Sequence, residues 1–224
     1  MKSIRLLGAA IIAVLALGVV GVATAAADAE LGAASLPAKL TSKGVGVSKL
    51  KSAAGTIECS AHKSSGEFTT QDAGKITITF TGCKSESVAC KSTGAAAEEI
   101  IVKEAPVSTV SLKSGTELLL GVLIQVTPTL QIKCGILAIE VKGSVLGSFP
   151  TVVSGTLIDA GTTKVLEFAE SSSGGLKQKY ETCEDGLTCT GTNKLEANFT
   201  GTFGPAVQVS SDEVQFSVSV KPTF

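Results

Sequence analysis

Six cysteines, one histidine and a scatter of serines and acids are the residues of this 224-residue chain that could do chemistry. The cysteines are Cys59, Cys83, Cys90, Cys134, Cys183 and Cys189. In an oxidising compartment an even count reads as three disulfides, with fifteen possible connectivities. Metal binding is the other chemistry open to them. The spacings do not match zinc-knuckle pairs and there is one histidine, so no metal or other cofactor is expected. Local spacing singles out two clipped loops. Cys83 and Cys90 flank the polar residues 84–89, and Cys183 and Cys189 flank 184–188 with its Asp185-Gly186 turn. That leaves Cys59 to join Cys134. Strand parity agrees: Cys59 shares a face with Ile57, and Cys134 with Leu130 and Ile132, so both sulfurs point to an apolar side, as a bridge between sheets requires.

His62 stands in Cys59-Ser60-Ala61-His62-Lys63. A Ser-His-Asp arrangement would have to use it, with a serine and an acid brought close by folding, and no G-x-S-x-G elbow marks the serine. In so polar a stretch the ring reads as solvated. Ser60-x-x-Lys63 and Ser48-x-x-Lys51 both match S-x-x-K, and Lys113-Ser114-Gly115 is close to K-T-G. Penicillin-recognising chemistry seats that serine on a helix and adds an S-D-N element, which is absent. Acids gather at Glu98-Glu99, at Glu181, Glu184 and Asp185, and at Asp212-Glu213. Paired carboxylates can serve glycoside hydrolysis or calcium, but there is no D-x-D-x-D-G loop and little aromatic surface for a sugar cleft. These acids read as turn and edge residues, with Glu184-Asp185-Gly186 the best candidate contact surface. Asn198-Phe199-Thr200 is a glycosylation sequon. Lys39, Lys43, Lys49 and Lys51 form a loose basic strip that could touch an anionic polymer, although a solvated strip is the commoner explanation. No catalytic residue is assigned.

The compartment follows from the N-terminus. Met1-Lys2-Ser3-Ile4-Arg5 is basic, 6–22 is an uncharged apolar run, and Ala23-Thr24-Ala25-Ala26-Ala27 precedes the first acid, Asp28. This is the pattern of a secretory signal peptide over 1–27, cleaved after Ala25 or Ala27, with a retained membrane anchor as the alternative. The expectation is an extracellular or envelope-associated protein, monomeric, with no membrane insertion once the signal is removed. Taking away Lys2 and Arg5 lowers the basic count from 19 to 17 against 20 acids, a net charge of about −3. No basic field for nucleic acid remains. Arg5 is the sole arginine, tryptophan is absent and Tyr180 is the sole tyrosine, so guanidinium forks and flat aromatic platforms are not available.

The elements that must position these residues are strands. Ile76, Ile78 and Phe80 alternate with polar residues, as do Ile139, Val141 and Val145; Leu195, Ala197, Phe199 and Phe203; and Val214, Phe216, Val218 and Val220. Period two with Gly/Ser/Asp punctuation predicts antiparallel strands. Shorter candidates are 99–103, 151–158, 164–169 and 176–182. Segment 118–126 is apolar on both parities and reads as a buried strand rather than a short helix. The fold class expected is all-β: an antiparallel β-sandwich, with a closed or partly open β-barrel as the alternative. A flexible lead-in (28–35) precedes one disulfide-linked domain (36–224). The alternating C-terminal strand ending in Phe224 has the look of an outer-membrane barrel's last strand, but the aromatic girdles such barrels need are missing.

Gly55-Thr56-Ile57-Glu58-Cys59, Gly66-Glu67, Thr79-Phe80-Thr81-Gly82-Cys83, Cys90-Lys91-Ser92, Ile132-Lys133-Cys134 and Val141-Lys142-Gly143-Ser144-Val145 carry a resemblance. The chain resembles a group of uncharacterised exported, cysteine-containing β-rich proteins expanded in soil actinobacteria. Cys183 and Cys189 lie outside that pattern. The resemblance implies an exported β domain and supplies no catalytic residue. The function expected is a non-catalytic binding or structural module of the envelope or extracellular space. A secreted hydrolase is one alternative and would show a cleft gathering His62 or a carboxylate pair with a nucleophile. An extracellular inhibitor is the other and would project 84–89 or 184–188 rigidly.

Overall fold

A computed structural model of the chain describes residues 29–114, 116–172, 176–179, 194–199 and 201–224. The signal segment 1–27, Cys183, Cys189, Glu181, Glu184 and Asp185 lie outside the described residues. The strands are β1 Ala38–Gly44, β2 Ser48–Ser52, β3 Gly55–Phe68, β4 Ala73–Ser85, β5 Val88–Ser92, β6 Glu99–Ser114, β7 Glu117–Cys134, β8 Leu137–Val153, β9 Thr163–Phe168, β10 Leu195–Asn198 and β11 Phe203–Phe216. Among the described residues no helix is long and apolar enough to cross a membrane. Segment 118–126 is part of β7, as its Gly121 and its length suggest.

All pairings are antiparallel, and they run in a ring. β1 and β2 lie end to end between β3 and β11. β5 and β6 share the position between β4 and β7, and β9 and β10 share the one between β8 and β11. With β3–β4 and β7–β8 the circuit closes. The all-β antiparallel reading therefore holds, and its two opposing walls pack across a shared interior as sandwich sheets do, with Phe149 meeting Phe216 at 6.4 Å between ring centres. Inward positions are mostly aliphatic: Leu40, Ile57, Ile76, Val122, Ile124, Val141, Val145 and Val214 are all buried. Outward positions on β1 and β3 are Lys39, Thr41, Lys43, Glu58 and Lys63. On β6–β8 the residues on the opposite face from the interior, Leu112, Leu119, Leu123 and Leu146, are apolar and form a second buried cluster.

One departure from the sequence expectation concerns the N-terminal end. Segment 28–35, expected to be a flexible lead-in, is docked from Ala29 onward. Ala29 and Leu31 are fully buried, and Glu30 and Ala33 bridge Thr223 and Val220. Its two apolar side chains alternate, which suffices for a short edge pairing. Where β9 and β10 leave a gap beside β8, the buried Gln178 substitutes for a strand. Its amide accepts from the Leu146 N–H at 2.8 Å and donates to the Ser144 carbonyl at 2.9 Å.

The disulfides differ from the expected pairing. They join Cys59 to Cys83 and Cys90 to Cys134. Each pair is directly opposed on neighbouring strands, with Cα atoms 4.0 and 4.1 Å apart. The β4–β5 register, Lys84 to Ala89, then places Cys83 beside Cys90. The four cysteines thus form one row across β3, β4, β5 and β7. Cys59 and Cys134 occupy its two ends, three strand spacings or about 14 Å apart, well beyond disulfide reach. Parity correctly turned both sulfurs inward. It could not say that each would find its partner next door rather than across the interior.

Non-reducing peptide mapping should recover Cys59 with Cys83 and Cys90 with Cys134; a Cys59–Cys134 peptide would refute the row. The bridges span separations of 24 and 44 residues. Replacing either pair by alanine should lower stability by about 3–4 kcal/mol in denaturant titrations.

Candidate functional site

β3 changes face partway along its length. Ile57 and Cys59 are buried, Ser60 and Ala61 are exposed, and then His62, Ser64 and Phe68 are buried. β4 makes the matching change, with Ile76, Ile78 and Phe80 inward on one side of Gly82 and Cys83 inward on the other. Gly82 has φ +64, and a Cβ there would lie 2.1 Å from Ser60 Oγ. Glycine readily adopts the positive φ that such a break in the alternation requires. The register between β3 and β4 is unchanged across it, so both strands invert together. The inversion turns His62 into the barrel instead of out to water, where unbroken alternation from Cys59 would have put it. The sequence reading of a solvated histidine is corrected accordingly.

Inside, His62 belongs to a chain of polar side chains from β1, β2, β3 and β11. Ser48 Oγ is 2.7 Å from Nδ1, and Asp212 Oδ2 is 3.1 Å from Nε2. Ser42 donates to Asp212 Oδ1 at 2.8 Å and lies 2.6 Å from Ser64 Oγ. Because Ser42 uses its proton on the carboxylate, Ser64 is the donor to Ser42. A carboxylate oxygen beside Nε2 favours the tautomer with the proton there, which leaves Nδ1 to accept from Ser48. The Asp212 oxygen lies off the N–H direction, so Nε2 has no aligned hydrogen-bond partner. The ring also stacks at a tilt on Phe80, 5.4 Å between centres. Across it lies Gly44, where a Cβ would come within 2.1 Å of the imidazole. Gly44 is therefore required by contact with the ring rather than by its own backbone angles.

This polar chain forms part of the wall of an internal cavity of about 110 Å³. Apart from Gln208 and Ser210, the rest of the wall is apolar and is drawn from strands all round the ring, including Leu50, Ile78, Val122, Val145, Leu166 and Phe216. Protein interiors rarely leave side-chain voids much larger than one water, and the side chains leave this one unpacked.

The other candidates are dispersed. On a strand, residues three apart face opposite ways: Ser48 points inward, while Lys51 pairs on the outside with Glu170 at 2.7 Å. Ser60 donates to the Thr81 carbonyl on the outer face, with Lys63 exposed farther along β3. Lys113 and Ser114 end β6. Asp212 is inward and Glu213 outward. Glu98 pairs with Lys84 at 3.2 Å, and Glu99 accepts from the Ala96 N–H at 3.2 Å. Within the lysine strip, Lys49 is bonded to Glu58 at 2.6 Å, and Lys43 lies beside Glu213 in the register. Asn198 accepts from the Gly201 N–H at 2.6 Å; Thr200 lies outside the described residues. Among the described residues no cluster of three or more His, Cys, Asp or Glu could hold a metal ion. No protein-family model, curated protein or solved structure matches the chain.

Gly44→Ala should destabilise the protein by about 1–3 kcal/mol through overpacking. Combining it with His62→Ala should relieve part of that loss. Unfolding titrations of both single variants and the double variant would show the coupling; strict additivity would mean that the ring does not pack on Gly44.

Proposed function

We propose that this protein is an exported, non-catalytic binding module that encloses a small, mostly apolar molecule within its barrel. The observation that carries this reading is the internal cavity of about 110 Å³ walled by aliphatic and aromatic side chains. Its size is comparable to an engineered apolar cavity of ~150 Å³ that takes up benzene. An apolar hollow with a few convergent polar groups is the usual form of a small-molecule site. Location outside the cytoplasm is supported by the signal-like N-terminus and by the two disulfides, which persist in oxidising compartments. In that setting the module would act in the envelope or the extracellular space.

Hydrolysis is the second reading, favoured by the Ser48–His62–Asp212 contacts. Two features weigh against it. Ser48 is only 1% exposed. The backbone that follows it is engaged in the β2–β3 and β2–β11 ladders, and an oxyanion site needs N–H groups free of such bonds.

Benzene should raise the melting temperature of the oxidised protein in a saturable way, since a ligand of the native state stabilises by mass action. Val122→Phe or Val145→Phe, which place a ring in the hollow, should abolish the shift. Absence of any shift with the native chain would sink the proposal. Cleavage of a nitrophenyl ester that disappears in Ser48→Ala would move the hydrolase reading ahead.

A further inference from the structure

One stretch of the ring has no ladder. Residues 144–147 of β8 and 207–209 of β11 pair with no strand on the side where β9 and β10 share a position. Val145, Leu166, Phe168, Leu195 and Gln208 border this slot, and all of them line the cavity. Two short arms, 169–171 and 177–179, lie over it. They bond to each other, the Ser171 N–H donating to the Lys177 carbonyl at 2.8 Å and the Lys179 N–H to the Ala169 carbonyl at 2.7 Å. Among the described residues no backbone hydrogen bond ties either arm to β8 or β11. Side chains hold them instead. Gln178 spans the Leu146 N–H and the Ser144 carbonyl, and Glu170 accepts from Lys51 Nζ on β2 at 2.7 Å.

Resting on the reading that the barrel encloses a small apolar molecule, we infer that this molecule enters and leaves through the slot between β8 and β11, with Gln178 as the latch. The other routes are shut. Ala29, Leu31 and Val220 are fully buried at one end of the barrel, and Phe199 and the four bridged cysteines are buried toward the other. Elsewhere the wall opens only by parting continuous ladders. At the slot, opening begins with the two Gln178 hydrogen bonds and the half-exposed Glu170–Lys51 contact. Local openings follow the least-bonded part of a fold. Release of Gln178 frees the arms from β8 and leaves a passage past Val145 and Gln208 into the hollow, while the ring and its register stay intact.

Fluorine NMR exchange of fluorobenzene on the oxidised full chain measures entry and exit rates together with affinity. Gln178→Ala should speed entry and exit by roughly tenfold or more and change affinity by less than about twofold. Glu170→Gln, at a half-buried position, should speed both less. Glu58→Gln, which breaks the Lys49 pair away from the slot, should leave both unchanged. A readout without ligand comes from amide hydrogen exchange. The Leu146 N–H, bonded to a side chain, should exchange roughly tenfold or more faster than the slowest β8 amides of the unsubstituted protein. If Gln178→Ala does not fold, Glu170→Gln and the Leu146 amide carry the test. Unchanged rates in the folded slot variants would overturn the route and leave the enclosing barrel standing. Leu146 protection equal to that of the slowest β8 amides would also overturn it, as would equal acceleration by Glu58→Gln and Glu170→Gln. Failure of fluorobenzene to bind the unsubstituted chain would remove the enclosing reading, and the route with it.

Discussion

Closure of the hydrogen-bonded ring is the constraint from which the rest follows. β1 pairs with β11 from Leu40–Phe216 to Gly44–Asp212, so the first strand is sealed against the last. Once the ring is shut, no long strand is left with an open edge, and inward and outward positions are separated for the whole circuit. The volume inside is then set by strand number and tilt rather than by side chains alone. Aliphatic residues can line that volume without filling it. The hollow is thus a consequence of closure, and the docked segment from Ala29 and the Gln178 side chain complete the pairing where the strands do not.

The same closure creates the polar chain. The sealing register brings Ser42 and Asp212 together across β1 and β11, and β3 delivers His62 and Ser64 beside them. Placing an imidazole and a carboxylate in an apolar interior is unfavourable unless each finds partners. Here the serines supply them for the carboxylate and for Nδ1, and Gly44 makes room for the ring. Nε2 alone is left over. Such an arrangement is not what stability requires, because an all-apolar wall of similar volume would hold the barrel at least as well.

The disulfide row works from the neighbouring wall. Cys59 shares the cavity lining with His62 and is locked to Cys83 on β4, one residue beyond the Gly82 inversion. The second bridge holds β5 to β7 in the same row. Cross-strand bonds at these points pin the register beside the inversion, and a one-residue slip there would turn His62 back toward water.

Much of this was legible in the residues themselves. Period-two alternation over Ile76 to Phe80, Ile139 to Val145 and Val214 to Phe216 determined the strands and their buried faces, because side chains alternate on any extended backbone; β11 stops at Phe216, short of the expected Val218 and Val220. The cysteines at 59 and 134 were correctly turned inward for the same reason. What alternation cannot carry is a change of phase or a choice of neighbour. Gly82, standing between Phe80 and Cys83, which both face inward, was the one local sign that the phase breaks. Read without it, His62 falls on the wet face and the polar chain is invisible. The disulfide partners, the meeting of Ser42, Ser48, His62 and Asp212, and the hollow they border were decided by ring closure alone. They depend on which strands lie side by side at separations of up to 170 residues, and no short-range pattern contains that information.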